Sequence, residues 1–195
     1  DRVHLKAGET VLIHGGSGGI GLAAIQLAHA FGAITLTTVG SDDKAAFCRT
    51  MGADHAINYR QQDFAAEVAA ITAKRGVDVI LDIVGGDYIE KNLKSLALEG
   101  RMAIIAFLQG SRVTVDWRHI MMKRLTVTGS TLRASPAARK AALARSMREK
   151  VWPLFAAGKL KPVIHRVFLL VEAADAHRLM ESSDHTGPIM LPVGQ

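Results

Sequence analysis

The stretch His14-Gly15-Gly16-Ser17-Gly18-Gly19-Ile20-Gly21 constrains this chain more than any other. Before it stands Thr10-Val11-Leu12-Ile13, a short apolar run that reads as a buried strand. After it, Ile20, Ala23, Ala24, Leu27, Ala28 and Phe31 recur at i, i+3, i+4, i+7, i+8 and i+11, the spacing of one helical face. Between strand and helix lies Gly16-x-Gly18-x-x-Gly21. In that setting the glycines permit a tight turn, close approach of backbone to a pyrophosphate and close packing of helix on strand. The helix N-terminus adds free N–H groups and the positive end of a dipole. The stretch therefore predicts a dinucleotide cradle.

The rest of the chain continues the alternation. Strands are expected at Ile34–Val39, Ala56–Tyr59, Val77–Val84, Met102–Phe107 and Leu125–Ser130. Helices are expected between them, near 42–51, 63–72, 88–98 and 117–123. Strands that are mostly continuous apolar runs, alternating with helices, imply a parallel sheet covered on both faces. The expected fold is α/β, a Rossmann-type doubly wound six-stranded parallel sheet over residues 1–132. Residues 133–195 look different: one long helix from Ser135-Pro136 to about Ala157, a strand near Val163–Phe168, a helix over Val171–Ser182 and a last strand at Ile189–Val193. That set is too small to bury a core of its own, and reads as the return arm of a second domain whose main body lies elsewhere.

Composition narrows the function classes. No apolar run approaches the ~18 residues of a membrane helix, and with 49% hydrophobic and 22% charged residues the chain has ordinary globular composition. A soluble, cytoplasmic protein is expected. The single cysteine, Cys48, leaves no disulfide framework and no four-cysteine zinc lobe. None of the eight histidines pairs at the i, i+4 spacing of a helical metal clamp, so no metal site is expected. The formal charge of +6 raises nucleic acid as a partner, but Lys and Arg are dispersed and concentrate only modestly over Arg133–Lys150. A polyphosphate cofactor is the more economical anion.

The glycine letters alone parse two ways, as Gly16-x-Gly18-x-x-Gly21 or as Gly15-x-x-x-Gly19-x-Gly21, the short-chain dehydrogenase style. Short-chain enzymes need a tyrosine with a lysine four residues on. Here Tyr59 is followed at that spacing by Asp63 and Tyr88 by Asn92, so that parse fails. An NAD site, like a methyltransferase, wants a carboxylate at the end of the second strand for the ribose hydroxyls. That position is Gly40, with Ser41 and Lys44 where a 2′-phosphate would lie and Tyr59 ending the next strand, which favours NADP(H). Ser41 as a mere helix cap and Lys44 as a solvated side chain is the plain alternative.

These stretches also carry a family resemblance. Lys6 to His14 leading into the turn, Gly52-Ala53-Asp54 with Ile57-Asn58-Tyr59-Arg60, Leu81-Asp82-Ile83-Val84-Gly85-Gly86, Gly129-Ser130-Thr131-Leu132-Arg133 and Ala176 to Ser182 together resemble the zinc-independent quinone oxidoreductases of the medium-chain dehydrogenase/reductase superfamily. The resemblance covers nearly the whole chain, as cofactor domain plus the C-terminal arm of a truncated GroES-like substrate domain. It implies NADPH as cofactor, with Gly16 opening the cradle and backbone groups of Ser17, Gly18, Gly19 and Ile20 on the pyrophosphate. It places Gly40, Ser41, Lys44 and Tyr59 at the 2′-phosphate and Val84 and Gly85 along the adenine ribose. Phe107, Leu108, Ser130 and Leu132 would flank the nicotinamide. Hydride would pass without metal to a quinone or an electron-poor enone, with no residue of this chain acting as acid or base. A homodimer through the sixth, edge strand is implied as well. Pro188 stands where the family commonly has a lysine. An enoyl reductase or other medium-chain reductase, and a nicotinamide-sensing or nucleic-acid-binding module, are the alternatives.

Overall fold

The computed structural model describes residues 2–194. Its centre is a six-stranded, wholly parallel sheet in the order β3-β2-β1-β4-β5-β6. The strands are β1 (Thr10–His14), β2 (Ile34–Val39), β3 (His55–Asn58), β4 (Val77–Asp82), β5 (Leu96–Ile104) and β6 (Thr126–Gly129). Between them run α1 (Gly19–Ala30), α2 (Asp42–Thr50), α3 (Phe64–Ile71), α4 (Tyr88–Ser95) and α5 (Arg118–Lys123). The order reverses between β1 and β4, the switch point at which ligands of such sheets bind, outside the carboxyl ends of the strands.

Strand alternation sorts the core into two layers. Val11 and Ile13 of β1 pack with Leu22, Ile25 and Ala28 of α1 and with Ala45 and Cys48 of α2. Leu12 faces the other way, onto Phe64, Val68, Ile80, Leu93 and Met102. The buried side of α1 is Gly21, Leu22, Ile25 and Ala28, a face rotated from the one the sequence suggested. Ile20 is 57% exposed and Phe31 46% exposed. α1 is apolar almost all round, so periodicity marks no unique stripe; Ala23 and Leu27 turn toward the C-terminal arm.

Several boundaries differ from expectation for local reasons. α4 stops at Ser95, because Leu96 enters the sheet opposite Val77. The ladder then slips before Val79 pairs with Arg101, with Glu99 at φ +61° in the bulged segment. The expected helix over 135–157 is two helices, α6 (Ala137–Lys150) and α7 (Trp152–Ala156). Pro153 has no amide for the Glu149 carbonyl and its ring crowds that turn, which ends α6. Pro136, at ψ 151°, is the N-cap of α6, one position later than the expected Ser135. The two terminal strands shrink to Arg166–Val167 (β7) and Ile189–Met190 (β8), paired in parallel, with α8 (Ala173–Ser182) between them. Among the described residues no helix is long and apolar enough to cross a membrane.

The last residue of β1 ties the layers together. His14 is fully buried. Its Nδ1 lies 2.9 Å from Thr38 Oγ1 on β2 and its Nε2 2.8 Å from Asn92 Oδ1 on α4. Phe64 and Tyr88 pack edge-on against the ring, both at 4.9 Å between centroids. With a carbonyl oxygen at Nε2 and a hydroxyl at Nδ1, the neutral ring satisfies both partners. Burial pushes its pKa down from 6.5. The unfolded chain therefore binds the proton first, and stability falls as the pH drops below 6.5. The slope approaches about 1.4 kcal/mol per pH unit. Urea unfolding between pH 8 and pH 5 should show this loss, and a His14→Asn variant, though weaker throughout, should lack the slope. The carboxylate of Asp63, lowered chiefly by its hydrogen bond from Lys91, loses its contribution only as the pH falls below the ordinary carboxylate value of 3.8, so the two windows separate.

Candidate functional site

The turn after β1 bends back sharply. Gly15 sits at φ +72°, in the left-handed region, and the amides of Gly15 and Gly16 both donate to the Thr38 carbonyl, at 3.1 and 3.0 Å. The tight turn that the glycine stretch was expected to make thus falls on Gly15. Gly16 serves packing: a Cβ there would lie 2.0 Å from Thr37 Oγ1, a hydroxyl that donates to the Ile13 carbonyl. Gly21 is tighter still, since its Cβ would meet the Gly15 carbonyl oxygen at 2.2 Å and Gly16 Cα at 2.6 Å. Only bare backbone lets α1 start here. Gly18 is the N-cap and offers no side-chain acceptor, so the first-turn amides of α1 remain available to a ligand.

A cleft of about 720 Å³ opens over this turn. Of the sequence-predicted residues, Ser17, Gly18, Gly40, Ser41, Lys44, Tyr59 and Leu108 line it together. Ser41 is the N-cap of α2 and accepts from the Lys44 amide at 3.3 Å, so it is a helix cap as well as part of the wall. The Lys44 ammonium reaches across the opening to the Ser183 carbonyl. Sequence reasoning missed Asp43, Phe47, Arg60 and Ile83 from the sheet side, and His165, Asp184, His185 and Thr186 from the arm. Arg60 had a signal, directly after Tyr59. The arm residues had none, because nothing local says that a distant segment folds back over the turn.

It does so through specific bonds. The Gly187 amide donates to the Ser17 carbonyl at 2.8 Å, and Gln26 on α1 exchanges hydrogen bonds of 3.2 and 3.0 Å with the backbone of Lys161. The Pro188 ring packs on the turn, with Cγ 3.1 Å from where a Gly19 Cβ would stand. Gly19 thereby faces the arm and an apolar groove shared with Leu22, Phe155 and Met190.

The remaining predicted residues are not brought into this cleft. Val84 and Gly85 lie in a turn whose amides donate to Asp82 Oδ1 at 2.7 and 3.2 Å. That turn is zipped to the loop after β5 by bonds from Leu108 to Ile83, Gln109 to Val84 and Gly86 to Gly110. Phe107 and Ser130 line a second cleft of about 630 Å³ at the ends of β5 and β6, with Thr128, Thr131 and Arg139. Leu132 lines neither and is 60% exposed. Gly16 and Ile20 line neither as well.

Among the described residues no three His, Cys, Asp or Glu side chains gather where a metal ion could be held. Burial pushes the Cys48 thiol up to about 11, away from the thiolate a metal requires. Burial likewise raises the Tyr88 phenol to about 12, and no lysine lowers it.

Comparison with known proteins agrees with this geometry. A family model described as zinc-binding dehydrogenase matches residues 19–148. The quinone oxidoreductase of Pongo abelii is 31% identical over 191 residues, covering 96% of this chain and 56% of that protein. A phthioceranic/hydroxyphthioceranic acid synthase of Mycobacterium tuberculosis is 36% identical over 98% of this chain, which corresponds to 9% of its own length. The solved quinone oxidoreductase of Escherichia coli, complexed with NADPH, superposes with a TM-score of 0.86 at 32% identity, over 97% of this chain and 59% of that one. The chain thus spans little more than half of the quinone oxidoreductases it matches. The zinc in the family's description finds no fitting donor set among the described residues.

The turn also yields a stability test. Gly21→Ala places a methyl inside the Gly15 carbonyl contact and should cost about 2 kcal/mol or more by chemical denaturation. Gly18→Ala, whose Cβ would meet only the Gly15 carbonyl at 3.4 Å, should cost much less.

Proposed function

The chain belongs to the zinc-binding dehydrogenase family, as a cofactor domain of the medium-chain dehydrogenase/reductase type, and from that premise we propose that it binds NADPH for metal-free reduction of quinones or related enones. The observation that carries the proposal is the cleft over the glycine turn, where β2 ends in Gly40 rather than a carboxylate and cationic side chains stand beside it. The glycine turn and the first-turn amides of α1 would hold the pyrophosphate, and the end of β2 with Ser41, Lys44 and Tyr59 the adenosine ribose and its 2′-phosphate. Bound there, the cofactor supplies the hydride. This chain's residues bind, orient and exclude water: Phe107 and Ser130 in the second cleft would flank the nicotinamide, while Leu108 lines the first cleft. Residues 133–195 would then form the arm that returns from a substrate domain, which the acceptor pocket also requires.

NADPH should bind at least about tenfold more tightly than NADH, a difference of about 1.4 kcal/mol, as read by fluorescence titration of the full chain. Equal affinities, or a preference for NADH, would overturn the cofactor assignment. Reduction of a quinone against an enoyl thioester by the protein carrying its substrate domain separates the two acceptor classes.

A homodimer is part of the same proposal. β6 is an edge strand with no partner on its outer side among the described residues, and Val127 on it is 40% exposed. Sedimentation should find a dimer that Val127→Lys converts to monomer; a monomeric parent chain would sink this part.

A further inference from the structure

We propose that Arg60 is the residue that makes the cleft select a phosphorylated adenosine ribose, with Lys44 in a lesser, auxiliary role. The inference rests on the dinucleotide proposal above. Its core is a convergence at Gly40. A Cβ built there would lie 3.0 Å from the Tyr59 hydroxyl and 3.5 Å from Arg60 Nε. A phenol and a guanidinium thus close on one point that glycine leaves open, at the end of the strand where a ribose is read in folds of this order.

Consecutive residues of a strand point to opposite faces, so Tyr59 and Arg60 can share that point only if the chain turns after β3. Asn58 makes it turn. Its side-chain oxygen accepts from the Arg60 amide at 3.2 Å, and its carbonyl accepts from the amides of Gln61 and Gln62 at 3.0 and 2.9 Å. Asn58 is itself held by Asp42, whose Oδ1 accepts from its amide nitrogen at 2.8 Å. The carboxylate nearest in sequence to the α2 cap is thereby occupied in building the turn.

The charges of the cleft do not select an anion by their sum. Lys44 and Arg60 are offset by Asp43 on the same wall and by Asp184 on the arm, where His165 and His185 also face them. Selection therefore falls to short-range donor geometry. Lys44 is a point charge whose ammonium already donates to the Ser183 carbonyl. Arg60 is in no ion pair or side-chain hydrogen bond among the described residues, and its planar fork matches two phosphate oxygens at once.

The test is a titration of NADPH and of NADH on the full chain carrying Arg60→Ala, Arg60→Lys or Lys44→Ala. Arg60→Ala should weaken NADPH by about tenfold or more and leave NADH within about twofold. Arg60→Lys should recover only part of the loss, and Lys44→Ala should cost less than Arg60→Ala. Unchanged NADPH affinity in Arg60→Ala, a larger loss in Lys44→Ala, or an equal loss of both nucleotides overturns the role of Arg60 while the cofactor proposal stands. A parent chain that binds neither nucleotide, or does not prefer NADPH, overturns both.

Discussion

The backbone contact between Gly21 and the Gly15 carbonyl is the constraint on which the rest depends. It fixes how near α1 starts to the end of β1, and hence how far the first-turn amides reach over the switch point. Because the helix can approach, β1 can end in His14 with its ring turned to the opposite layer, where Thr38 and Asn92 hold it. That tie sets the end of β2 level with the end of β1, since the Thr38 carbonyl also takes the Gly15 and Gly16 amides. Gly40, two residues beyond Thr38, then falls beside the turn rather than above or below it. The neutral state of His14 is part of the same construction, because burial against Phe64 and Tyr88 outweighs the Asn92 oxygen and the Asp82 carboxylate that favour a charge.

Much of this was legible in the sequence because its cause is local. Apolar runs bounded by glycine gave the six strands in order, and Asp63 and Ser41 cap α3 and α2 as their positions suggest. What was not legible depends on partners distant in sequence. The buried face of α1 is decided by where the sheet lies, since the helix offers apolar residues on every side. The early start of β5 is decided by Val77 needing a neighbour at Leu96, with a bulge absorbing the mismatch. The break at Pro153 was local and readable, since a proline inside a helix removes a donor and crowds the preceding turn. Within the site, the same division holds. Gly40, Ser41, Lys44 and Tyr59 come together because β2 and β3 are adjacent, which the alternation implies; the arm's contribution does not follow from any local pattern.

The arm is the wall that turns an open sheet end into a cleft. Ser17 to Gly187, Gln26 to Lys161 and Lys44 to Ser183 are polar ties spread along the opening, and none is a surface ion pair that salt would readily screen. Pro188 adds an apolar contact on Gly19. From sequence, proline in place of lysine reads only as a lost donor. In the fold a rigid ring lies on the bare backbone of Gly19, where a Cβ would stand 3.1 Å from its Cγ.

The two clefts are kept apart by the zipper between the turn after β4 and the loop after β5. Three backbone hydrogen bonds hold residues 83–86 against 108–110, and Gly85 is pressed on Phe107 and the Gly110 carbonyl so closely that its Cβ would lie 2.7 Å from each. Adjacent side chains, Phe107 and Leu108, consequently open into different spaces. On the proposed cofactor assignment this explains why Val84 and Gly85 need not touch a ligand to matter: they set the ridge over which an extended dinucleotide must bend. A chain that places one end of such a molecule by phosphate chemistry and the other by apolar contact needs those two environments separated by rigid backbone. Asp82, buried at the end of β4 and accepting the amides of Val84 and Gly85, is the residue that makes the ridge rigid.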